Sequence, residues 1–310
     1  MIKKIDFAWW IALGLAVNQF AFAQANNANS DDPKLLCVVL LGGQSNADGR
    51  APGDELPVNL QSPQPDVPFY YYTSGMAANP DGTLGRLTTL RPGCTQMPPG
   101  GFGPEVTLGH NLARVVEQTP GTKLAIIKYA KGGSSLGVDW KPNVNNSTGD
   151  EGVYYKTFQN VVKNGLSELR RRYPHSKVQL AGMIWVQGES DIDGGDKLSR
   201  PYGANLANFI SDMRAKFDPA LPFYLSRISS QQTVYSTPTV KLYPDYLLVR
   251  SGQAWVAATV DNARMIDTDA PTFATKADHL HFDARGQQAL GAAFAALLES
   301  NLKLNLKAAR

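Results

Sequence analysis

Ser45 follows directly on an apolar run, Leu35-Leu36-Cys37-Val38-Val39-Leu40-Leu41, that stops at Gly42-Gly43. A run that is apolar on both faces and bounded by turn residues reads as a fully buried strand of a parallel sheet. In open α/β sheets ligands bind outside the carboxyl ends of the strands, so the Ser45 hydroxyl stands where a nucleophile would be placed. Such a serine needs a base near neutral pH. Of the histidines, His110 falls in a predicted helix and His175 at a helix end, both positions of surface or capping residues. His279 and His281 lie in Asp278-His279-Leu280-His281-Phe282-Asp283. Asp278 and His281 are three apart, so one turn of backbone can bring the carboxylate onto Nδ1–H and leave Nε2 for the serine. Two bland readings compete: a solvated loop with ordinary histidines, and a metal site built on the His279/His281 pair with Asp283. No third ligand cluster for the latter is evident.

Two further segments end strands at the same sheet edge. Gln187, in Ile184-Trp185-Val186-Gln187-Gly188-Glu189-Ser190-Asp191, could donate its carboxamide to a developing oxyanion or satisfy loop carbonyls. Glu189 and Asp191 could be paired glycosidase carboxylates. Two acids one residue apart on an extended segment point in opposite directions, which favours a loop-orienting role. Lys131-Gly132-Gly133-Ser134-Ser135 follows another strand, and its glycines allow close backbone approach and an exposed N–H.

The elements that must position these groups alternate along the chain. Strands are expected at Leu35–Leu41, Leu124–Tyr129, Val178–Val186, Phe223–Ile228 and Met265–Ile266. Helical periods cover Glu105–Glu117, the segments around Phe158–Leu169 and Leu206–Phe217, Leu247–Val260 and Ala284–Leu302. This alternation predicts a three-layer α/β/α sandwich with a mostly parallel sheet of five strands. Pro52–Gly103 and Gly137–Gly152 are long, polar and rich in Gly and Pro, hence candidate functional loops. The first carries Phe69-Tyr70-Tyr71-Tyr72 and the second Trp140, aromatics that could stack on sugar rings; for the first run a minor strand, Val67–Tyr72, is the alternative.

Residues 1–23 have the form of a signal peptide: Lys3 and Lys4, an apolar core over Phe7–Val17, and Ala21-Phe22-Ala23 before Gln24. The core is short for a retained membrane anchor. Residues 24–33 are expected to be a flexible N-terminus and 34–303 a single domain, exported to the periplasm or beyond the cell, with no membrane span in the mature protein. Removing Lys3, Lys4 and Asp6 takes the formal charge from +3 to +2, which argues for no nucleic-acid or anionic-membrane partner. Export permits a Cys37–Cys94 disulfide; burial of Cys37 in its strand favours free thiols.

Taken in order, Gly43-Gln44-Ser45-Asn46, Gly132-Gly133-Ser134, Trp185-Val186-Gln187-Gly188-Glu189-Ser190-Asp191 and Asp278-His279-Leu280-His281-Phe282 resemble the motif blocks of the SGNH-hydrolase superfamily. More narrowly, the chain looks like the sialate O-acetylesterase-type domain that includes acetylxylan esterases of carbohydrate esterase family six. Phe102-Gly103-Pro104-Glu105 and Val249-Arg250-Ser251-Gly252-Gln253 are lesser likenesses. The resemblance implies a flavodoxin-like sheet and acyl transfer from an acetylated oligo- or polysaccharide. Ser45 would be the nucleophile, His281 the base and Asp278 its orienting acid. The oxyanion donors would be the Ser45 N–H, an N–H of Gly132 or Gly133, and the Gln187 side chain, with Asn46 and Glu189 in support. Neither metal nor organic cofactor is required. A lipase-like esterase would want an apolar acyl groove, and a non-catalytic glycan-binding protein on this fold would be expected to lose Ser45, Asp278 or His281.

Overall fold

The computed structural model describes residues 32–97, 100–142, 151–232 and 244–308; the expected signal peptide lies outside them, as do most of the residues expected to form the flexible N-terminus. Pro33–Arg310 is one compact unit. The strands are β1 (Leu35–Gly43), β2 (Gln64–Tyr72), β3 (Arg86–Leu90), β4 (Thr122–Ala130), β5 (Lys177–Val186), β6 (Phe223–Ser226) and β7 (Ala263–Ile266). They form a single sheet in the order β3-β2-β4-β1-β5-β6-β7. Every neighbouring pair is parallel except β2 with β3.

The sheet therefore has seven strands, two more than expected. The aromatic run Phe69–Tyr72 belongs to β2, which pairs in parallel with β4; Phe69 and Tyr70 are buried. The partly exposed β3 closes the edge antiparallel to β2.

The helices are α1 (Ser45–Asp48), α2 (Val58–Gln61), α3 (Glu105–Val116), α4 (Val153–Arg172), α5 (Glu189–Asp193), α6 (Asp196–Ser199), α7 (Tyr202–Lys216), α8 (Pro244–Thr259) and α9 (Ala284–Ala308). The strict alternation of strand side chains divides the core in two. Leu36, Val38 and Leu40 of β1 join Phe158 and Val162 of α4 and Phe209 of α7 on one face. Cys37, Val39 and Leu41 join Leu108 and Leu112 of α3 and Phe294 of α9 on the other. A register shift between Val38 and Val39 against β5 lets the two halves of β5 change phase. Burial of nonpolar surface on both faces, worth roughly 25 cal/mol per Å², gives β1 its central place.

Trp140 is fully buried, not exposed on a loop. Its ring meets Trp185 edge-on at 5.1 Å and Phe158 at 5.8 Å, and its Nε1–H donates to Ser134 Oγ at 2.7 Å. The segment that looked like a sugar platform is a core plug, because an indole finds more apolar surface under the loop than above it. Residues 143–150 of that segment lie outside the described residues. Cys37 and Cys94 are free and buried, and burial pushes the Cys37 thiol up to about 11. Among the described residues no helix is long and apolar enough to cross a membrane.

Candidate active site

β1 ends against β5 with unusual closeness. A Cβ on Gly43, at φ +137°, would lie 2.1 Å from the Val186 carbonyl oxygen, and the next amide, Gln44 N–H, donates to that oxygen at 2.9 Å. Only glycine permits this crossing. It turns the chain into α1, so that Ser45 emerges at the carboxyl edge of the sheet beside the segment that follows β5.

The loop before α9 reaches the same edge. Asp278 organises it: Oδ1 accepts the N–H groups of Leu280 and His281, each at 2.9 Å. Oδ2 stands 2.8 Å from His281 Nδ1. A carboxylate accepts only, so Nδ1 carries the hydrogen and Nε2 presents its lone pair. His281 Nε2 is 3.0 Å from Ser45 Oγ. Burial alone would raise the Asp278 carboxyl; the His281 N–H, the His281 ring and the Leu280 N–H outweigh it and hold it below the ordinary carboxylate range. His279 takes the left-handed conformation, at φ 53°, on the exposed side of this turn. Among the described residues no group of three His, Cys, Asp or Glu could hold a metal ion.

The serine's neighbour ties the two loops together. Asn46 donates to Glu189 Oε1 at 2.7 Å and to the Leu280 carbonyl at 3.2 Å, and its Oδ1 accepts the Phe282 N–H at 2.9 Å. Gln232 repeats the first two contacts, at 3.0 Å and 2.8 Å.

Gln187, expected as an oxyanion donor, is bonded to neighbouring protein groups. It is 1 % exposed, and its Nε2 donates to Asp191 Oδ2 at 2.6 Å, to the Ser134 carbonyl at 3.1 Å and to Gln44 Oε1 at 3.2 Å. The Tyr202 hydroxyl and Gln253 Nε2 hold its own carbonyl. The cause is local. Glu189–Asp193 is a short helix, not an extended segment, and it folds Asp191 back onto the amide. Glu189 and Asp191 diverge into different networks, the second accepting also from the Leu136 and Gly137 N–H groups. They form no facing pair of glycosidase type.

The cavity over Ser45 encloses about 620 Å³, with Arg50, Gln96, Gly132, Asp193 and His281 among its walls. Gly132 is the glycine that packs on Ser45: a Cβ there would lie 3.4 Å from Ser45 Cβ, whereas one on Gly133 would meet nothing within 4 Å. Among the described residues, the N–H groups of Ser45, Gly132 and Gly133 donate to no protein acceptor. Arg50, Gln96 and Lys128 carried no signal in the sequence. Lys128 Nζ, 2 % exposed, bonds Glu105 Oε2 at 2.8 Å and the Asp48 carbonyl at 2.7 Å. Glu105 belongs to one of the lesser motif likenesses, and only the pairing of strand and helix reveals its partner. Burial lifts the Asp48 carboxyl to about 6 against the pull of Lys128 and Arg50.

A serine bonded to a histidine, itself bonded to an aspartate, thus stands at the carboxyl edge of a mostly parallel α/β/α sheet. The chain matches the family model described as carbohydrate esterase, sialic acid-specific acetylesterase over residues 36–300, and it belongs to that family; it is a carboxylic-ester hydrolase. Among solved structures it is similar to NanS (15% identity, TM-score 0.61, covering 88% of this chain and 99% of that one). It is also similar to a protein from Arabidopsis thaliana (19% identity, TM-score 0.59, 87% and 99%). A third is a carbohydrate acetylesterase from Xanthomonas citri (17% identity, TM-score 0.56, 84% and 55%). At these identities the likeness concerns the fold. No curated protein matches the chain.

Proposed function

We propose that this esterase removes acetyl groups from acetylated glycans, of acetylxylan or sialate type, by a Ser-His-Asp acyl-enzyme mechanism. The observation that carries the reading is the continuous bond path from Asp278 Oδ2 through His281 to Ser45 Oγ, at 2.8 Å and 3.0 Å. Ser45 Oγ attacks the acetyl carbonyl while its proton passes to His281 Nε2. The imidazolium, stabilised by Asp278, then protonates the departing sugar oxygen. Water, deprotonated by the same nitrogen, attacks the acetyl-serine and releases acetate. The Ser45 and Gly132 N–H groups receive the charge that develops on the carbonyl oxygen. The polar wall formed by Arg50, Gln96 and Asp193 favours a glycan over a long acyl chain. On its amino-terminal sequence the protein is exported, to the periplasm or beyond.

Ser45→Ala tests the nucleophile: hydrolysis of p-nitrophenyl acetate should vanish with the thermal transition unchanged, and full activity would overturn the assignment. Acetate release from acetylated xylan, O-acetylated sialic acid and pectin, measured in parallel, tests the substrate class. Similar low release from all three would count against a dedicated glycan deacetylase.

A further inference from the structure

Gln187 spends its amide N–H groups on Asp191, Ser134 and Gln44, and the cavity over Ser45 carries a guanidinium, that of Arg50, among its walls. Arg50 Nη1 bonds Asp48 Oδ2 at 2.9 Å, and Nη2 reaches Gln96 Oε1 at a long 3.4 Å. A guanidinium has five N–H groups, and among the described residues only these two acceptors engage it. Its side chain is 15% exposed, and it lines the cavity together with Ser45 and Gly132. A Cβ on Gly132 would lie 2.5 Å from Arg50 Nη2 and 3.4 Å from Ser45 Cβ. The guanidinium and the nucleophile therefore flank the same face of Gly132.

The surroundings fix that guanidinium in place. Asp48 closes the helical turn that Ser45 opens, and its carboxylate also accepts the Gln96 N–H at 3.1 Å. Lys276 Nζ holds the Arg50 carbonyl at 3.2 Å, and the Lys276 N–H is bonded to the His281 carbonyl at 2.8 Å. Arg50 is thus tied at one end to the turn of the nucleophile and at the other to the loop of the base. Lys131 lines the same cavity.

We propose that Arg50 donates a guanidinium N–H to the acyl oxygen as it becomes an oxyanion, in the role the sequence suggested for Gln187, and that Asp48 is the positioning residue that aims it. The inference rests on the acyl-enzyme reading above. A fixed cation at the site of developing charge needs no reorganisation during the reaction, and an ion pair with Asp48 limits its swing toward solvent.

The test uses p-nitrophenyl acetate, an ester without a sugar, and full-length Arg50→Gln, Arg50→Lys, Arg50→Ala and Asp48→Asn variants beside Ser45→Ala. Arg50→Gln should lose kcat about a hundredfold at nearly constant KM, with Arg50→Lys intermediate. Guanidinium chloride at sub-denaturing concentration should restore part of the Arg50→Ala activity. Asp48→Asn should lose kcat in a wild-type background and little more in Arg50→Gln. Wild-type kcat in Arg50→Gln would overturn the proposal while leaving the serine reading intact, provided Ser45→Ala is dead. A loss confined to KM for acetylated sugars would make Arg50 a sugar anchor and overturn it too. So would a fall in thermal stability that accounts for the lost activity without rescue by guanidinium. Full activity of Ser45→Ala would instead remove the reading on which both rest.

Discussion

Gln187 and Asp191 are bonded through Nε2 and Oδ2 at 2.6 Å, four residues apart across the start of α5 and both sealed from solvent. The bond makes the amide a brace between the end of β5 and the Gly132 loop, since the same Asp191 accepts the Leu136 and Gly137 N–H groups. Burial nevertheless dominates at Asp191 and raises its carboxyl to about 6, over the lowering effect of the Leu136, Gln187 and Gly137 bonds.

This has a pH signature. A carboxyl whose folded pKa is raised contributes stability that is present below its unfolded value of 3.8 and lost as pH rises through about 6. Asp191→Asn does not titrate. The unfolding free energy of wild type relative to Asp191→Asn, from urea curves, should fall by about 1–3 kcal/mol between about pH 4 and about pH 7. A difference independent of pH would show that Asp191 is not so raised.

Asp278→Asn should lower kcat on p-nitrophenyl acetate by roughly 10²- to 10⁴-fold with KM little changed. The amide cannot select the Nδ1–H tautomer as a carboxylate does. The same variant should lose its disadvantage in acid. Because the Asp278 carboxyl is lowered, its stabilising effect is present above the unfolded value and disappears as pH falls through the folded one. Thermal unfolding of both proteins across that range checks the second half.

Gly43→Ala should destabilise by about 3 kcal/mol or more, because its Cβ would strike backbone, the Val186 carbonyl, at a positive φ. Gly133→Ala, also at positive φ but with nothing within 4 Å, should cost only about 1–2 kcal/mol. Chemical denaturation of the pair separates strain from crowding.

Trp140→Ala should cost about 3–5 kcal/mol of stability and leave KM for acetylated glycans unaffected in whatever fraction remains folded. A selective rise in KM at unchanged stability would restore the sugar-stacking role.

The sequence made legible what depends on runs and breaks in hydrophobicity. β1, β4 and β5 are apolar on both faces and end in glycine or a polar cluster, so the sheet core and the place of Ser45 could be read directly. The Asp278–His281 spacing was equally visible, because its geometry is local. β3 was not, since Arg86-Leu87-Thr88-Thr89-Leu90 is an edge strand whose half-exposed residues carry no strong pattern. Trp140 was misplaced because loop composition says nothing about which side chain folds inward. The bond from Gln187 to Asp191 depends on a short helix that no periodicity announces, and Arg50 sits among charges that sequence alone reads as solvated surface.

Asn46 has a consequence for turnover. In the proposed mechanism His281 releases the serine and turns its proton toward the sugar oxygen, so the bond between the two is broken in every cycle. The spacing of their two loops does not depend on that bond. It is held by Asn46, which grips the Leu280 carbonyl and the Phe282 N–H on either side of His281. The partners that react are thus free to part and meet again at constant distance, like two hands clasped only intermittently by people already seated at the same table.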